Sequence, residues 1–343
     1  MSHLPETMRA SVLLEAETLE LQERAVPVPD PDQVLIRIEA VGVCGSDVHF
    51  FHEGKLGDWE VTEPLVLGHE SAGVIVAVGS AVDPARIGER VSIEPQRPDP
   101  TSRESLSGAY NLCPNMEFYA VPGVDGAFAQ YATIQSHFAH RIPDHVSLEA
   151  AALLEPLSVA IATARKAGFT AGSRVLITGA GPIGIVTAQV ARAYGASEII
   201  VTDVDPQRRA QAERFGATRT IDALTEPVGN LGLDVDAFVD ASGAPAAVRS
   251  GFGEVRPGGT VVLVGMGPTE IPLPVSTIQN RELVVTGIFR YNNTWPLAIE
   301  LVASGRVDLD ALVTGRFGLD RVADALNSTR DPQTLKSVVT PNA

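Results

Sequence analysis

The first part of the chain alternates short apolar runs with proline- and glycine-rich breaks. Residues 8–14, 18–26 and 33–41 read as strands, and the PVPDPD stretch at 27–32 is a turn-dense linker between the second and third. Runs at 72–79 (AGVIVAVG), 90–94, 127–135 and 140–143 continue the pattern. Many short strands with Gly and Pro turns predict a compact all-β or barrel-like domain. The period changes near residue 147. Residues 147–168 are alanine-rich and apolar on one face, hence helical. Beyond them, strands and helices take turns: strand 174–178, helix 183–194, strand 198–203, helix 206–215, then strands at 218–221, 235–240, 260–265 and 283–287. Strands separated by helical patterns call for a parallel sheet with right-handed crossovers. Six strands make a full dinucleotide-binding unit.

Composition narrows the partners. The chain has 343 residues, enough for two domains, with 45% hydrophobic and 20% charged residues, as in a globular protein. A net charge of −16 leaves no basic stripe for nucleic acid and disfavours an anionic membrane surface, so it is read as a solvated acidic exterior. No stretch approaches a membrane span, and MSHLPETMRASV has neither the basic nor the apolar region of a signal peptide. With only Cys44 and Cys113 present, no disulfide framework is expected, and a reduced, cytoplasmic setting is.

The stretch from Val41 to Glu70 carries the candidate chemistry. Cys44 and the adjacent His69 and Glu70 offer a thiolate, an imidazole and a carboxylate, a set that suits zinc. Three protein ligands with a fourth position left open are the pattern of a catalytic zinc site. Gly42, Gly45 and Gly68 let ligands from distant segments turn toward one spot. One cysteine and one histidine would otherwise be read as a core thiol and a core imidazole. His137, His140 and His145 have no matching ligand spacing and are expected to be surface or packing residues.

At VLITGAGPIG, the residues Gly179, Gly181 and Gly184 form G-x-G-x-x-G between a strand and a helix, with Pro182 and Ile183 inside the motif. This places a dinucleotide pyrophosphate on the helix N-terminus. Asp203 ends the next strand 24 residues after Gly179, where a ribose-binding acid belongs. A carboxylate there favours NAD over NADP, and Arg208 is read as lying against the adenine. Zinc ligands in one half and a nucleotide fold in the other imply one chemistry: Lewis-acid activation of a carbinol with hydride transfer to a nicotinamide. Ser46 is placed to bond the substrate oxygen and His49 to take the proton through the cofactor ribose. The plainer reading of Ser46 is a helix N-cap, with Asp47 as a first-turn acid.

These residues together resemble the zinc-containing medium-chain dehydrogenases, specifically the sorbitol (L-iditol) and xylitol dehydrogenase branch, over nearly the whole chain. The carrying motifs are Gly68-His69-Glu70-x2-Gly73-x5-Gly79-x2-Val82, V-C-G-S-D-V-H at 43–49, Glu155-Pro156-Leu157-Ser158, the glycine motif, and Phe289-Arg290-Tyr291-x-Asn293-Thr294-Trp295-Pro296. The resemblance implies zinc on Cys44, His69 and Glu70 with water completing the site, and Glu155 ordering that water or joining the metal. Where alcohol dehydrogenases with Cys₂His ligation have a second thiolate, this chain has Glu. Phe118, Arg290 and Tyr291 are then expected to meet a polyol, Phe50 to line its site or pack in the core, and Phe289 to contact the cofactor. Relatives often carry four cysteines around a structural zinc; here Asp99, Ser102, Ser105 and Cys113 hold those places, so one catalytic zinc per subunit and no structural zinc are expected. Phe50 also stands where polyol enzymes often have Tyr.

The implied fold is α/β: a β-rich GroES-like catalytic domain over 1–156, a doubly wound Rossmann domain over 157–290, and a return to the catalytic domain over 291–343, including a helix near 295–304 and a strand near 335–340. The resemblance places the catalytic cleft between the two domains and implies a homotetramer, or else a dimer, joined through the nucleotide-domain sheet. The expected reaction is NAD-dependent oxidation of a secondary hydroxyl of a polyol to the ketose. Another zinc-dependent alcohol oxidation (galactitol, a diol, a threonine-like substrate) and a catalytically silent NAD-binding structural protein are the alternatives.

Overall fold

A computed structural model of the chain describes residues 4–343. It contains two compact units, one made of Met1–Glu155 with Leu309–Ala343, the other of Pro156–Asp308.

In the first unit, β1 (Thr7–Glu15) and β2 (Thr18–Ala25) pair antiparallel, with a bulge between Leu13 and Glu15. The main sheet is built on β3 (Gln33–Gly42), whose residues are buried almost throughout because it lies inside the sheet with partners along both edges. After β3 the chain turns into α1 (Gly45–Glu53), then crosses to β4 (Glu70–Val78), which runs antiparallel to β3. β5 (Arg90–Ile93), β6 (Tyr131–Gln135) and β7 (Ala139–Arg141) complete the N-terminal part of this sheet. The strand expected over 127–135 starts only at Tyr131. Its first residues are taken by another segment: the N–H groups of Gly126, Ala127 and Phe128 donate to the carbonyls of Val66, Gly68 and Leu67. The single helix expected over 147–168 is two, α2 (Leu148–Ala152) and α3 (Leu154–Ala167). Pro156 explains the break, since it has no N–H to give to the Ala152 carbonyl and crowds it sterically.

The second unit holds β8 (Arg174–Thr178), α4 (Pro182–Ala193), β9 (Glu198–Asp203), α5 (Pro206–Arg214), β10 (Arg219–Asp222), β11 (Val235–Asp240), α6 (Pro245–Gly251), β12 (Val255–Leu263), α7 (Val275–Asn280), β13 (Val284–Gly287) and α8 (Trp295–Ala303). Its strands form one six-stranded parallel sheet in the order β10-β9-β8-β11-β12-β13. That is the 3-2-1-4-5-6 order of a doubly wound dinucleotide fold, with its switch point between β8 and β11. Phe238, Phe252, Leu176 and Val261 sit at the centre of its core.

The chain leaves this unit later than residue 290, the boundary expected from sequence. Residues 291–308, with α8, stay with the nucleotide unit. Arg165 donates to the carbonyls of Asn292 and Asn293, and the Gln189 amide both accepts from the Asp308 N–H and donates to its carbonyl. Only then come β14 (Val313–Gly318), α9 (Val322–Ser328) and β15 (Lys336–Thr340). β15 pairs antiparallel with the end of β3, giving the order β7-β5-β4-β3-β15-β14, with β6 also on β3. Val322, Ala325 and Leu326 of α9 enter the core of the first unit.

Candidate active site

The candidate metal corner forms where β3, α1, β4 and β15 meet. Cys44 stands between β3 and α1 as the N-cap of the helix, correcting the placement of Ser46 at that position; Ser46 lies inside the first turn. Asp47 fixes the junction. Fully buried, it accepts from the Cys44 N–H through Oδ2 and from the Gly68 N–H through Oδ1, both at 3.0 Å. Its Oδ1 also lies 3.6 Å from His69 Nδ1, so one carboxylate orients both ligand-bearing segments. Glu70 begins β4 directly opposite Gly42, and a Cβ on Gly42 would fall 2.1 Å from Glu70 Oε2. Only glycine leaves room for that carboxylate.

The ligand atoms of Cys44, His69 and Glu70 lie within 4.8 Å of one another. Ligands bound at about 2.0–2.3 Å to one tetrahedral zinc stand roughly 3.3–3.8 Å apart, a gap that small side-chain rotations close. Glu70 Oε2 is buried and has no hydrogen-bond partner, which fits an acceptor waiting for a cation. Burial opposes a charged His69, but the Asp47 carboxylate and the Cys44 sulfur outweigh it and hold the imidazole well above its ordinary pKa. Such a pocket attracts positive charge, and the donor set fits zinc.

A residue absent from the sequence reading completes the corner. Lys336, the first residue of β15, is 4% exposed and donates from Nζ to the Val43 carbonyl and to Glu70 Oε1. Burial disfavours its charge, but Glu70, Cys44 and Glu155 together hold the ammonium above its ordinary pKa. One signal was available: the chain has three lysines among its 26 basic residues, and one stands in an apolar strand.

Phe118 lies beside the metal ligands, its ring centroid 5.4 Å from that of His69, and Glu155 is buried at the start of α3. His49 is half-exposed and hydrogen-bonds Glu53 one turn on, at 2.9 Å. Phe50 sits in the core of the first unit at 2% exposure, which is the packing role of the two considered. In the lobe that replaces four cysteines, hydrogen bonds join the side chains. Cys113 Sγ accepts from the Asp99 N–H, and the Ser102 and Ser105 hydroxyls pair at 2.9 Å. His140 Nε2 hydrogen-bonds Oε2 of the buried Glu94 at 2.9 Å, while His137 packs on Phe138.

In the second unit, Gly179 turns with φ +90° and α4 starts at Pro182 with no side-chain cap. Its first N–H groups are thereby left for an anion. The approach of Gly184 is as close as the motif demands: a Cβ there would meet the Gly179 carbonyl oxygen at 1.9 Å. Asp203 accepts from the Ala180 N–H (2.8 Å) and from the Asp205 N–H (2.9 Å), so it braces the glycine turn as well as ending β9. Arg208 reaches across that turn, its Nη1 3.9 Å from where a Cβ on Gly181 would stand. Arg290 has φ +56° and lies over the exposed Phe289 ring, while Tyr291 is buried against Trp295.

Residues 30–144 match the alcohol dehydrogenase GroES-like domain and residues 182–304 the zinc-binding dehydrogenase domain. The chain belongs to the zinc-binding alcohol dehydrogenase family. It is 42% identical to a sorbitol dehydrogenase of Bacillus subtilis (strain 168), each chain being covered in full. Among solved structures, a putative zinc-binding dehydrogenase of Sinorhizobium meliloti 1021 bound to NADP superposes with TM-score 0.91 at 31% identity, covering 98% of this chain and 100% of the other. An alcohol dehydrogenase of Escherichia coli CFT073 complexed with NADH gives 0.93 at 27% identity, with coverages of 98% and 100%. This dehydrogenase is accordingly an oxidoreductase acting on CH–OH groups, with the corner of Cys44, His69 and Glu70 as the place its residues offer a metal.

Proposed function

We propose that this dehydrogenase oxidises a secondary hydroxyl of a polyol, of the sorbitol or xylitol kind, to the ketose, with NAD as hydride acceptor. The observation that carries the reading is the Cys44–His69–Glu70 cluster, its His and Glu buried, in a chain similar over its full length to a sorbitol dehydrogenase. Bound at the Cys44–His69–Glu70 corner, zinc would supply a Lewis acid for the carbinol oxygen, and a nicotinamide held at the glycine motif would supply the hydride acceptor.

The chain's own residues do the rest. Cys44, His69 and Glu70 hold the metal, and Asp47 keeps the first two in position. Glu155 orders the water at the open position, Ser46 bonds the substrate oxygen, and His49 relays the proton toward solvent. Phe118, Arg290 and Tyr291 contact the polyol chain. Gly179, Gly181, Pro182, Ile183 and Gly184 present the pyrophosphate site, with Arg208 above the turn and Phe289 against the cofactor. Asp203 accepts from the ribose hydroxyl while repelling a 2′-phosphate, which supports NAD over NADP. A homotetramer in a cytoplasmic setting completes the reading. The assembly draws support from β13, a sheet-edge strand whose Val284 is 56% exposed.

The test is zinc per chain on fresh protein, together with NADH production on sorbitol, xylitol and galactitol. One zinc and polyol-dependent NADH support the reading. Two zincs would show that the Asp99–Cys113 lobe binds metal after all, and zinc without polyol turnover would move the substrate to another alcohol. Neither zinc nor turnover would leave a silent NAD-binding protein.

A further inference from the structure

The two oxygens of Glu70 are not equivalent. Oε1 receives the Lys336 ammonium, whereas Oε2 is buried, unpartnered and wedged against the bare Cα of Gly42. Lys336 is in turn anchored by the Val43 carbonyl at 2.7 Å, one residue before Cys44. The register of β15 needs none of this. Val338 and Val339 pair with Gly42 and Val41, and the Val43 N–H donates to the Ser337 carbonyl. Nor is a buried ion pair an effective source of stability, because desolvating both charges offsets much of their attraction. What the pair does accomplish is to engage one oxygen while the other stays without a partner.

We infer that Lys336 is a positioning residue that clamps Oε1, so that Glu70 offers the metal a single oxygen, Oε2. This rests on reading Cys44, His69 and Glu70 as the ligands. Single-oxygen donation keeps the ion low-coordinate and preserves an open position for substrate. The clamp also ties that position to a residue 266 places away in sequence.

An amide at position 70 reports the clamp directly. In Glu70→Gln, Lys336 claims the amide oxygen and turns the –NH₂, which is no ligand, toward the metal. Zinc affinity, measured by competition with a chelator, should then be as low as in Glu70→Ala. When Lys336→Met is added to both, the amide is free to turn its oxygen to the metal. Glu70→Gln/Lys336→Met should then bind zinc about 10- to 100-fold more tightly than Glu70→Ala/Lys336→Met. Any general effect of removing a positive charge is common to both backgrounds and cancels in the cycle. An equal Gln-to-Ala ratio in the two backgrounds overturns the inference.

Should a variant with an unpaired buried charge fail to fold, a crystal structure of the zinc-loaded wild-type protein decides. Zinc on Oε2 with Oε1 still on Lys336 supports the clamp, and zinc on Oε1 or on both oxygens overturns it. A wild-type protein that binds no zinc would instead overturn the ligand assignment itself.

Discussion

At Asp203 a single carboxylate accepts from the N–H groups of Ala180 and Asp205, and in the proposed function it would also meet the ribose. Its replacements should therefore separate charge from support. Asp203→Asn keeps a hydrogen-bond acceptor but loses the repulsion of a 2′-phosphate. Asp203→Ala loses both and leaves two backbone donors to be satisfied by water, at about 1–3 kcal/mol. The ratio of kcat/KM for NAD to that for NADP is expected to fall in both variants, and thermal stability to fall chiefly in Asp203→Ala. An unchanged ratio would mean the carboxylate is not at the ribose. Residues of this kind were legible in sequence because a motif fixes their spacing. Lys336 was not, since nothing about a lone lysine in an apolar strand says which distant carboxylate it meets. Asp47 was seen as a first-turn acid, yet its bond from Gly68 and its approach to His69 depend on a segment some twenty residues away.

Among the elements, the nucleotide sheet was the most legible. Its inner strands are buried on both faces and read as unbroken apolar runs, such as 199–201 and 237–239. β14 was missed because its VTGRFG sequence alternates weakly and shows only partial burial. α1 was half-seen: its capping cysteine is an unusual N-cap residue, so the start fell on Ser46 by propensity. The junction of β8 and α4 gives the sharpest prediction at this scale. Gly184→Ala puts a methyl group 1.9 Å from the Gly179 carbonyl oxygen, and backbone on both sides limits relief. Overpacking of this kind costs about 1–3 kcal/mol. Lower stability in urea and weaker NAD binding by fluorescence titration are expected, with zinc content unchanged. Normal NAD affinity would show that the helix can shift without disturbing its N-terminus.

On the scale of the whole molecule, the candidate metal ligands lie in one compact unit and the dinucleotide motif in the other. Cys44→Ser should therefore abolish turnover and most zinc binding while leaving NAD affinity within about twofold of the wild type, since the replaced side chain belongs to the unit without the glycine motif. Loss of NAD binding, followed by calorimetry, would contradict that division.

The pairing of β15 with β3 has a consequence for how the chain comes into being. A ribosome releases Gln33–Gly42 well before Lys336–Thr340, yet these strands are neighbours in one sheet. The nucleotide unit is contiguous in sequence and is complete before β14 and β15 emerge, so it is able to fold while synthesis continues. The first unit must wait, its contacts being among the longest-range in the molecule and hence the slowest to form. The unit begun before the nucleotide unit is completed after it, and the candidate metal corner gains its lysine only then.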